Sequence, residues 1–295
     1  MTISKRQSLR FLGFSRHSSL SGQLMGIGII ITLFFVFVAV FAPMFQAWGW
    51  LQDPTASLIN PIHDAPSLHH WFGTSRQGYD VFSRTLYGSQ AALQVVLWAT
   101  VFSITIGVPL GLVSGYLGGR LDRALLFLMD TIYTLPGLLL SVTLAFVVGR
   151  GILNAAIAIS ISYIPQYYRV VRNQTHSVRT ELFIEAAQAM GASTWKILSR
   201  YLLLNVIQSV PVLFTLNSAD AILTLSSLGF LGLGLPEETP EWGHDLRQAL
   251  EALPVGIWWT TLFPGFALTL MVVGLSLFGE GLNEFVNPRW RRESS

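Results

Sequence analysis

The sequence contains no cysteine among its 295 residues, and only 12% of those residues are charged. Without cysteine the chain can form no disulfide, no cysteine-ligated zinc site and no thiol nucleophile. Soluble domains contain about 25% charged residues, so the low charge content excludes an ordinary soluble fold. Apolar residues take the place of the missing charge, since 52% are hydrophobic and the mean hydropathy is +0.53. The composition therefore predicts a polytopic membrane protein.

The chain also lacks the motifs of a catalyst. It has no Gly-x-x-x-x-Gly-Lys-Ser/Thr loop for ATP and no Gly-x-Ser-x-Gly or His-x-x-x-His string. His63, His69 and His70 lie near Asp64 but lack the i, i+4 spacing of a helical metal pair. We therefore expect no catalytic residue, cofactor or metal site. A self-contained carrier or channel remains the alternative to a subunit of a larger transporter, although the inverted repeats typical of a carrier are not evident.

Six long apolar runs are candidate membrane spans. They cover residues 24–45, 91–117, 124–148, 152–168, 202 to about 235, and 255–279. About 20 apolar residues cross the hydrocarbon core, so each run except the fifth fits one crossing. The fifth is too long, and we expect one end of it to lie along or re-enter the membrane. The first is longer than a signal-peptide core and lacks a small-x-small cleavage site, so it should be a retained helix. We predict an all-α fold with six transmembrane helices.

Basic residues predict the orientation of these helices. With six spans, fourteen basic residues fall on one side and four on the other. The first set is Lys5, Arg6, Arg10, Arg16, Arg120, Arg123, Arg169, Arg172, Arg179, Lys196, Arg200, Arg289, Arg291 and Arg292, and the second is Arg76, Arg84, Arg150 and Arg247. Because cytoplasmic loops carry the excess of lysine and arginine, both termini should be cytoplasmic. The basic amino-terminal tail also suits contact with anionic membrane lipids.

The spans divide the chain into five regions. These are a cytoplasmic basic tail (1–23), a first transmembrane helix (24–45), an external connection (46–87), a core of five further helices (88–282) and a cytoplasmic tail (283–295). The external connection is rich in Pro, Asp, His and Trp, which is typical of an irregular cap near the membrane surface.

One polar segment of the core, within about residues 181–200, is placed to face a partner protein. Its key residues are Glu185, Ala186, Ala187, Gly191 and Ser193. The two alanines leave little side-chain bulk on a short helix, and the glutamate supplies one charge. The glycine provides a left-handed stop, and the serine can cap the next helix. The pattern predicts a helix-turn-helix elbow that enters a groove on another protein, with a capped interfacial helix as the plainer alternative.

Three polar residues fall within the apolar runs. Asp130 opens the third run, and Asn217 lies one turn before Asp220 in the fifth. An acid at membrane depth is costly, so each is a candidate for the translocation path. Asp130 also lies close to cytoplasmic arginines, and an ion pair is an equal alternative there. We expect Asp220 to face protein or the path rather than lipid.

The elbow resembles the EAA loop of permease subunits in binding-protein-dependent ATP-binding-cassette (ABC) transporters, whose pattern is Glu-Ala-Ala, three residues, then Gly. Residues 72–84 resemble the segment before the second helix in the C-type permeases of dipeptide and oligopeptide transporters, except that Ser75 and Tyr79 replace charged residues. Residues 226–243 and 263–289 are also similar, so the likeness covers about residues 71–289. Within this family the C subunits of Sap-type peptide or polyamine transporters are the nearest in pattern.

The resemblance implies a type I importer (MetI-like) permease fold in a bacterial inner membrane. It implies a homologous second permease, two cytoplasmic ATPase subunits docked at Glu185 to Gly191, and a periplasmic solute-binding protein. Nucleic acid is not an expected partner. The cargo stays open between peptides and polyamines, and so does the direction of transport.

Overall fold

The computed structural model describes residues 20–286 of the chain. The basic residues of the two expected tails, Lys5 to Arg16 and Arg289 to Arg292, lie outside this range. Within it the backbone forms nine main helices. They are α1 (Leu20–Ala47), α2 (Val81–Leu117), α3 (Gly119–Tyr133), α4 (Gly137–Val148), α5 (Ile152–Val178), α6 (Leu182–Ala189), α7 (Thr194–Phe230), α8 (Trp242–Ala249) and α9 (Trp259–Val286).

The membrane-spanning helices agree with the predicted architecture. α1, α2, α7 and α9 are long and apolar enough to cross a membrane, and the pair of α3 and α4 provides a fifth crossing if it is counted as one bent span. α5 begins where the predicted fourth span (152–168) begins, but it has 27 residues, ends at Val178 and is less apolar than those four helices. The all-helical membrane fold is confirmed for residues 20–286, and α5 makes the six-span count plausible.

The third predicted span is not one straight helix. α3 and α4 meet at an angle of 88° across a break at residues 134–136. Pro136 has no backbone N–H, and it disfavours helical geometry at the preceding Leu135. Both residues lie within the apolar run, but the hydropathy of the run does not indicate a bend at this position. The break opens the cleft described below.

The fifth apolar run forms most of one long helix and the turn after it. α7 extends unbroken from the elbow to Phe230, through a π-helical turn at Ile197–Leu202 and a 3-10 turn at Ile207–Ser209. The expected helix near Trp195 is therefore the first part of this long helix. The rest of the run, to about residue 235, lies in the turn that leads to α8, and its contact with the membrane stays a prediction.

Close packing of α2 against α5 depends on glycine. A Cβ added at Gly111 would lie 2.7 Å from the Tyr168 carbonyl oxygen, and one at Gly115 would lie 2.6 Å from the Arg172 carbonyl oxygen. No side chain fits at either distance without moving the backbone of α5. The small residues of the second span therefore serve helix packing, as the sequence predicts.

Residues 48–80 and 231–258 form a cap at one end of the helices, and Arg84 ties its parts together. The buried Arg84 side chain donates from Nε to Asp245 Oδ1 of α8 at 2.9 Å and from Nη1 to the Pro54 carbonyl at 3.0 Å. Its Nη groups also reach the carbonyls of residues 237–239. Trp242, at the start of α8, donates its indole N–H to the Thr85 carbonyl at 2.8 Å.

Glu241 closes the N-terminus of α8 inside this cap. Its two carboxyl oxygens accept hydrogen bonds from the backbone N–H groups of Gly243 and His244, each at 2.8 Å. The side chain is fully buried, and this burial raises the pKa of Glu241 to about 8 despite those two bonds. The cap is therefore most stable when the acid is protonated.

Candidate coupling elbow and translocation cleft

The elbow has the predicted backbone. α6 ends at Ala189, and Gly191 follows with φ of +78°, in the left-handed region that favours glycine. Ser193 then caps α7 by accepting a hydrogen bond from the Lys196 N–H at 3.4 Å. The reversal is closed by a bond from the Ala192 N–H to the Ala187 carbonyl at 3.0 Å. Local turn chemistry alone therefore specifies this shape.

Most of the predicted elbow residues are exposed. Glu185, Ala186, Gly191 and Ser193 lie on its surface, and no ion pair involves Glu185 among the described residues. Ala187 differs, because it packs inward and is buried. Ala187 thus packs α6 against the helix bundle, whereas the other four elbow residues are accessible to a partner.

Apolar side chains surround these residues, and the sequence analysis did not identify them. Met190 is 78% exposed and Trp195 is 76% exposed, and Leu182 and Phe183 are exposed beside them. Such a group is typical of the anchoring centre of a protein interface, where Trp and Met are enriched. The signal was present in the sequence as four large apolar residues in a polar connection.

The elbow is connected to α2 by hydrogen bonds. Gln188 of α6 donates to the Tyr116 hydroxyl at 3.2 Å, and Arg179 donates to the Tyr116 carbonyl at 3.2 Å. Arg179 follows the end of α5, so the same contact joins three helices. Tyr116 thus links the elbow, α2 and the end of α5.

Two ion pairs fasten α3 to α5. Arg169 Nη2 donates to Asp130 Oδ1 at 2.7 Å, and its guanidinium lies over the Tyr133 ring. Arg172 donates from Nε and Nη2 to the two oxygens of Asp122 at 2.5 and 2.7 Å. Of the two alternatives left open for Asp130, the structure shows the ion pair.

Asp220 lies on an open cleft between the α3–α4 break, α5 and α7. The cleft has a volume of about 450 Å³, and among the residues that line it only Asp220 is charged. Tyr163, which is buried on α5, donates its hydroxyl to Asp220 Oδ2 at 2.7 Å. Asp220 lies ten residues, about 15 Å, before the end of α7 at Phe230. An acid that faced lipid near the centre of a bilayer would cost about 3 kcal/mol, whereas this carboxylate faces the cleft.

Asn217 does not share this position. It is 6% exposed and is absent from the cleft wall. Its side chain is buried within the bundle, and its Nδ2 atom has no hydrogen-bond partner among the described residues. The three polar candidates therefore separate into an ion pair at Asp130, a buried amide at Asn217 and an accessible carboxylate at Asp220.

Comparison with known proteins agrees with this arrangement. Residues 107–292 match the family described as binding-protein-dependent transport system inner membrane component. The dipeptide transport system permease protein DppC of Alkalihalophilus pseudofirmus is 35% identical over 90% of this chain and 86% of that protein. The probable D,D-dipeptide transport system permease protein DdpC of Escherichia coli is 37% identical over 83% of this chain and 82% of that protein.

Two further comparisons extend these findings. A glutathione transport system permease protein, GsiD of Escherichia coli, is 36% identical over 86% of this chain and 84% of that protein. Among solved structures, the MetNI methionine ABC transporter in an inward-facing conformation matches with a TM-score of 0.53 and 17% identity, over 69% of this chain and 94% of that one. The latter likeness shows the fold alone.

The fold is therefore that of the membrane subunit of an ABC transporter, of the type I (MetI-like) class. The chain belongs to the binding-protein-dependent transport system inner membrane components, and it is a peptide-type permease subunit rather than an enzyme. It is a multi-pass protein of the inner membrane. Membership in this family implies ATPase subunits, a binding protein and a second permease as partners. Nothing in the comparisons distinguishes a Sap-type subunit.

Proposed function

We propose that this chain forms one half of the pore of an ATP-driven importer that carries peptides across a bacterial inner membrane. The named relatives transport dipeptides or glutathione, which supports a small peptide as the cargo. Polyamines, the other cargo considered from the sequence, receive no support from these relatives. A self-contained carrier or channel is disfavoured because the family depends on other subunits for energy.

The second half of the pore covers the exposed face of α7. Leu216, Asp220, Leu223 and Phe230 are exposed along one side of this helix, at spacings of three, four and seven residues. The acid in this otherwise apolar stripe would be unfavourable towards lipid, and a homologous permease subunit placed against the stripe would enclose the cleft. Residues 88–282 then form the permease core and α1 an additional first helix.

The elbow is the docking site for the ATPase subunits, and its exposed surface carries the proposal. Glu185, Ala186, Gly191 and Ser193 face outward, and the large side chains of Met190 and Trp195 project beside them. No contact within the described residues covers these two side chains. Because the elbow follows α5 and continues directly into α7, ATP-driven movement of a docked partner would be transmitted to two helices that line the cleft.

The orientation follows from this docking and from the basic residues. The elbow and both termini face the cytoplasm, where ATP is available, and the cap of residues 48–80 and 231–258 faces the periplasm. A solute-binding protein delivers the cargo at the cap. This arrangement supports import.

Reconstitution of the whole transporter tests the proposal. The chain, its homologous permease, the ATPase subunits and the binding protein would be purified together and placed in liposomes. We expect ATP-dependent uptake of a labelled dipeptide only when all the subunits are present. Uptake of labelled dipeptide by the permease pair without the ATPases would instead establish a carrier or channel, and uptake of putrescine but not peptide would overturn the cargo.

A further inference from the structure

We propose that Asp220 and Tyr163 form a subsite for an ammonium group in the translocation cleft. The inference rests on the proposed function, because it assigns the part of a peptide that the cleft would bind. Peptides and cationic side chains share this group, as do small diamines. The proposal therefore assigns only the binding of the ammonium group, and other parts of the cleft would bind the rest of the cargo.

The first argument is the unpaired charge of Asp220. Oδ2 accepts the Tyr163 hydroxyl at 2.7 Å, whereas no hydrogen bond or ion pair to Oδ1 occurs among the described residues. Arg169, further along α5, is bound to Asp130 and not to Asp220. Asp220 is thus a carboxylate positioned by one neutral donor, with one oxygen available to a ligand.

The second argument is the composition of the surrounding wall. Gln166 lines the cleft, and its amide has no hydrogen-bond partner among the described residues. Thr224 adds a hydroxyl group to the cleft wall, whereas the Ser162 hydroxyl already donates to the Gly137 carbonyl at 3.2 Å. An ammonium group donates three hydrogen bonds and requires acceptors. The carboxylate, the amide oxygen and a hydroxyl together supply them.

The third argument concerns size and access. A cleft of about 450 Å³ lies within the range of pockets that hold small molecules. It is open on the side where α7 is exposed, so a cargo in the pore could enter it. Leu135 of the α3–α4 break and Leu138 of α4 also line the cleft and offer apolar contact for a side chain.

Protection of an introduced thiol tests the subsite directly. The chain has no native cysteine, so Ser162→Cys places one thiol on the cleft wall. Maleimide labelling of that thiol would be followed in the complete transporter, with and without a dipeptide, the same dipeptide acetylated at its amino group, and putrescine. Because labelling is measured on the permease itself, a small molecule that the binding protein does not bind can still be tested.

We expect the free dipeptide to slow labelling and the acetylated dipeptide to have little effect. Asp220→Asn should weaken protection by the free dipeptide about tenfold or more, as loss of a charge-assisted hydrogen bond predicts. Asp220→Glu should restore most of the protection, and Tyr163→Phe should weaken it less than Asp220→Asn. Ser227→Ala, on α7 outside the cleft wall, serves as the control and should match the parent.

The outcomes distinguish this inference from the proposed function. Equal protection by free and acetylated dipeptide, unchanged protection in Asp220→Asn, or a thiol that never reacts during the transport cycle would overturn the subsite even if the transporter carries peptides. Protection by putrescine alone would retain the ammonium subsite and contradict a peptide cargo. Recovery of each assembled variant at the parental level excludes loss of folding as the cause.

Discussion

Gly191 provides a quantitative test of the elbow. Its backbone conformation favours glycine, whereas the space around it would accommodate a larger side chain. Its φ is +78°, and a Cβ added there would meet no atom within 4 Å. Gly191→Ala therefore introduces no clash, and its cost is the left-handed strain of about 1 to 2 kcal/mol. A β-branched residue adds to that cost, so Gly191→Val should have a larger effect in the same direction.

This strain shifts the elbow away from the shape that a partner recognises. A difference of 1 to 2 kcal/mol changes a two-state equilibrium by a factor of about 5 to 30. If the ATPase subunits require the observed turn, their affinity for Gly191→Ala should fall by up to that factor. Glu185→Ala removes an exposed charge without changing the turn, so it should weaken the coupling of transport to ATP hydrolysis more than it weakens binding.

A matched control exists in the cap. Gly49 has φ of +77°, and a Cβ added there also meets nothing within 4 Å. Gly49→Ala therefore carries similar strain at a site away from the elbow surface. ATPase association would be measured by titration onto the permease pair in lipid nanodiscs, together with substrate-stimulated hydrolysis. Equal affinity of the Gly191→Ala, Gly49→Ala and parental proteins would refute the docking assignment.

Three further predictions concern the cap and the orientation. Because the pKa of Glu241 is raised to about 8 from 4.5, its protonated form stabilises the fold and this contribution is lost as pH rises through 8. The unfolding temperature should thus fall more between pH 5.5 and 8.5 in the parent than in Glu241→Gln, and parallel curves would show that the acid is ionised throughout. Arg84→Ala leaves Asp245 and several carbonyls buried without a donor and should cost about 3 to 5 kcal/mol, measured by thermal unfolding. The exposed ion pair of Arg76 makes Arg76→Ala the control, with a loss of about 1 kcal/mol or less, and similar losses in both would contradict the role of Arg84. A membrane-impermeant maleimide should label Ala56→Cys in intact cells and Gln188→Cys only after permeabilisation, whereas the reverse pattern would invert the topology.

Features set by neighbouring residues could be predicted from the sequence. Gly191 and Ser193 specify a turn and a cap within a few residues, and the structure shows both. The apolar runs located most of the spans because helix length and hydropathy are local properties. Pro136 was equally local, but its effect on the third span was overlooked because the run was judged by hydropathy.

Features that depend on distant contacts could not be predicted. Arg84 and Asp245 are 161 residues apart, and only the folded cap brings them together. Ala186 and Ala187 are adjacent and chemically identical, yet packing of α6 on the bundle buries one and exposes the other. Asp130 and Asp220 likewise differ only in what faces them, an arginine of α5 in one case and an open cleft in the other.

The most direct test of the central claim is a cross-link from the elbow to the ATPase. The absence of native cysteine allows Met190→Cys to carry a single benzophenone group on this chain, with Trp48→Cys, in the cap, as the comparison. In a complete transporter that hydrolyses ATP in response to peptide, illumination should join the Met190 position to an ATPase subunit and the Trp48 position to none. Cross-linking from the Trp48 position alone, or no product from the Met190 position in such an active complex, would contradict the account.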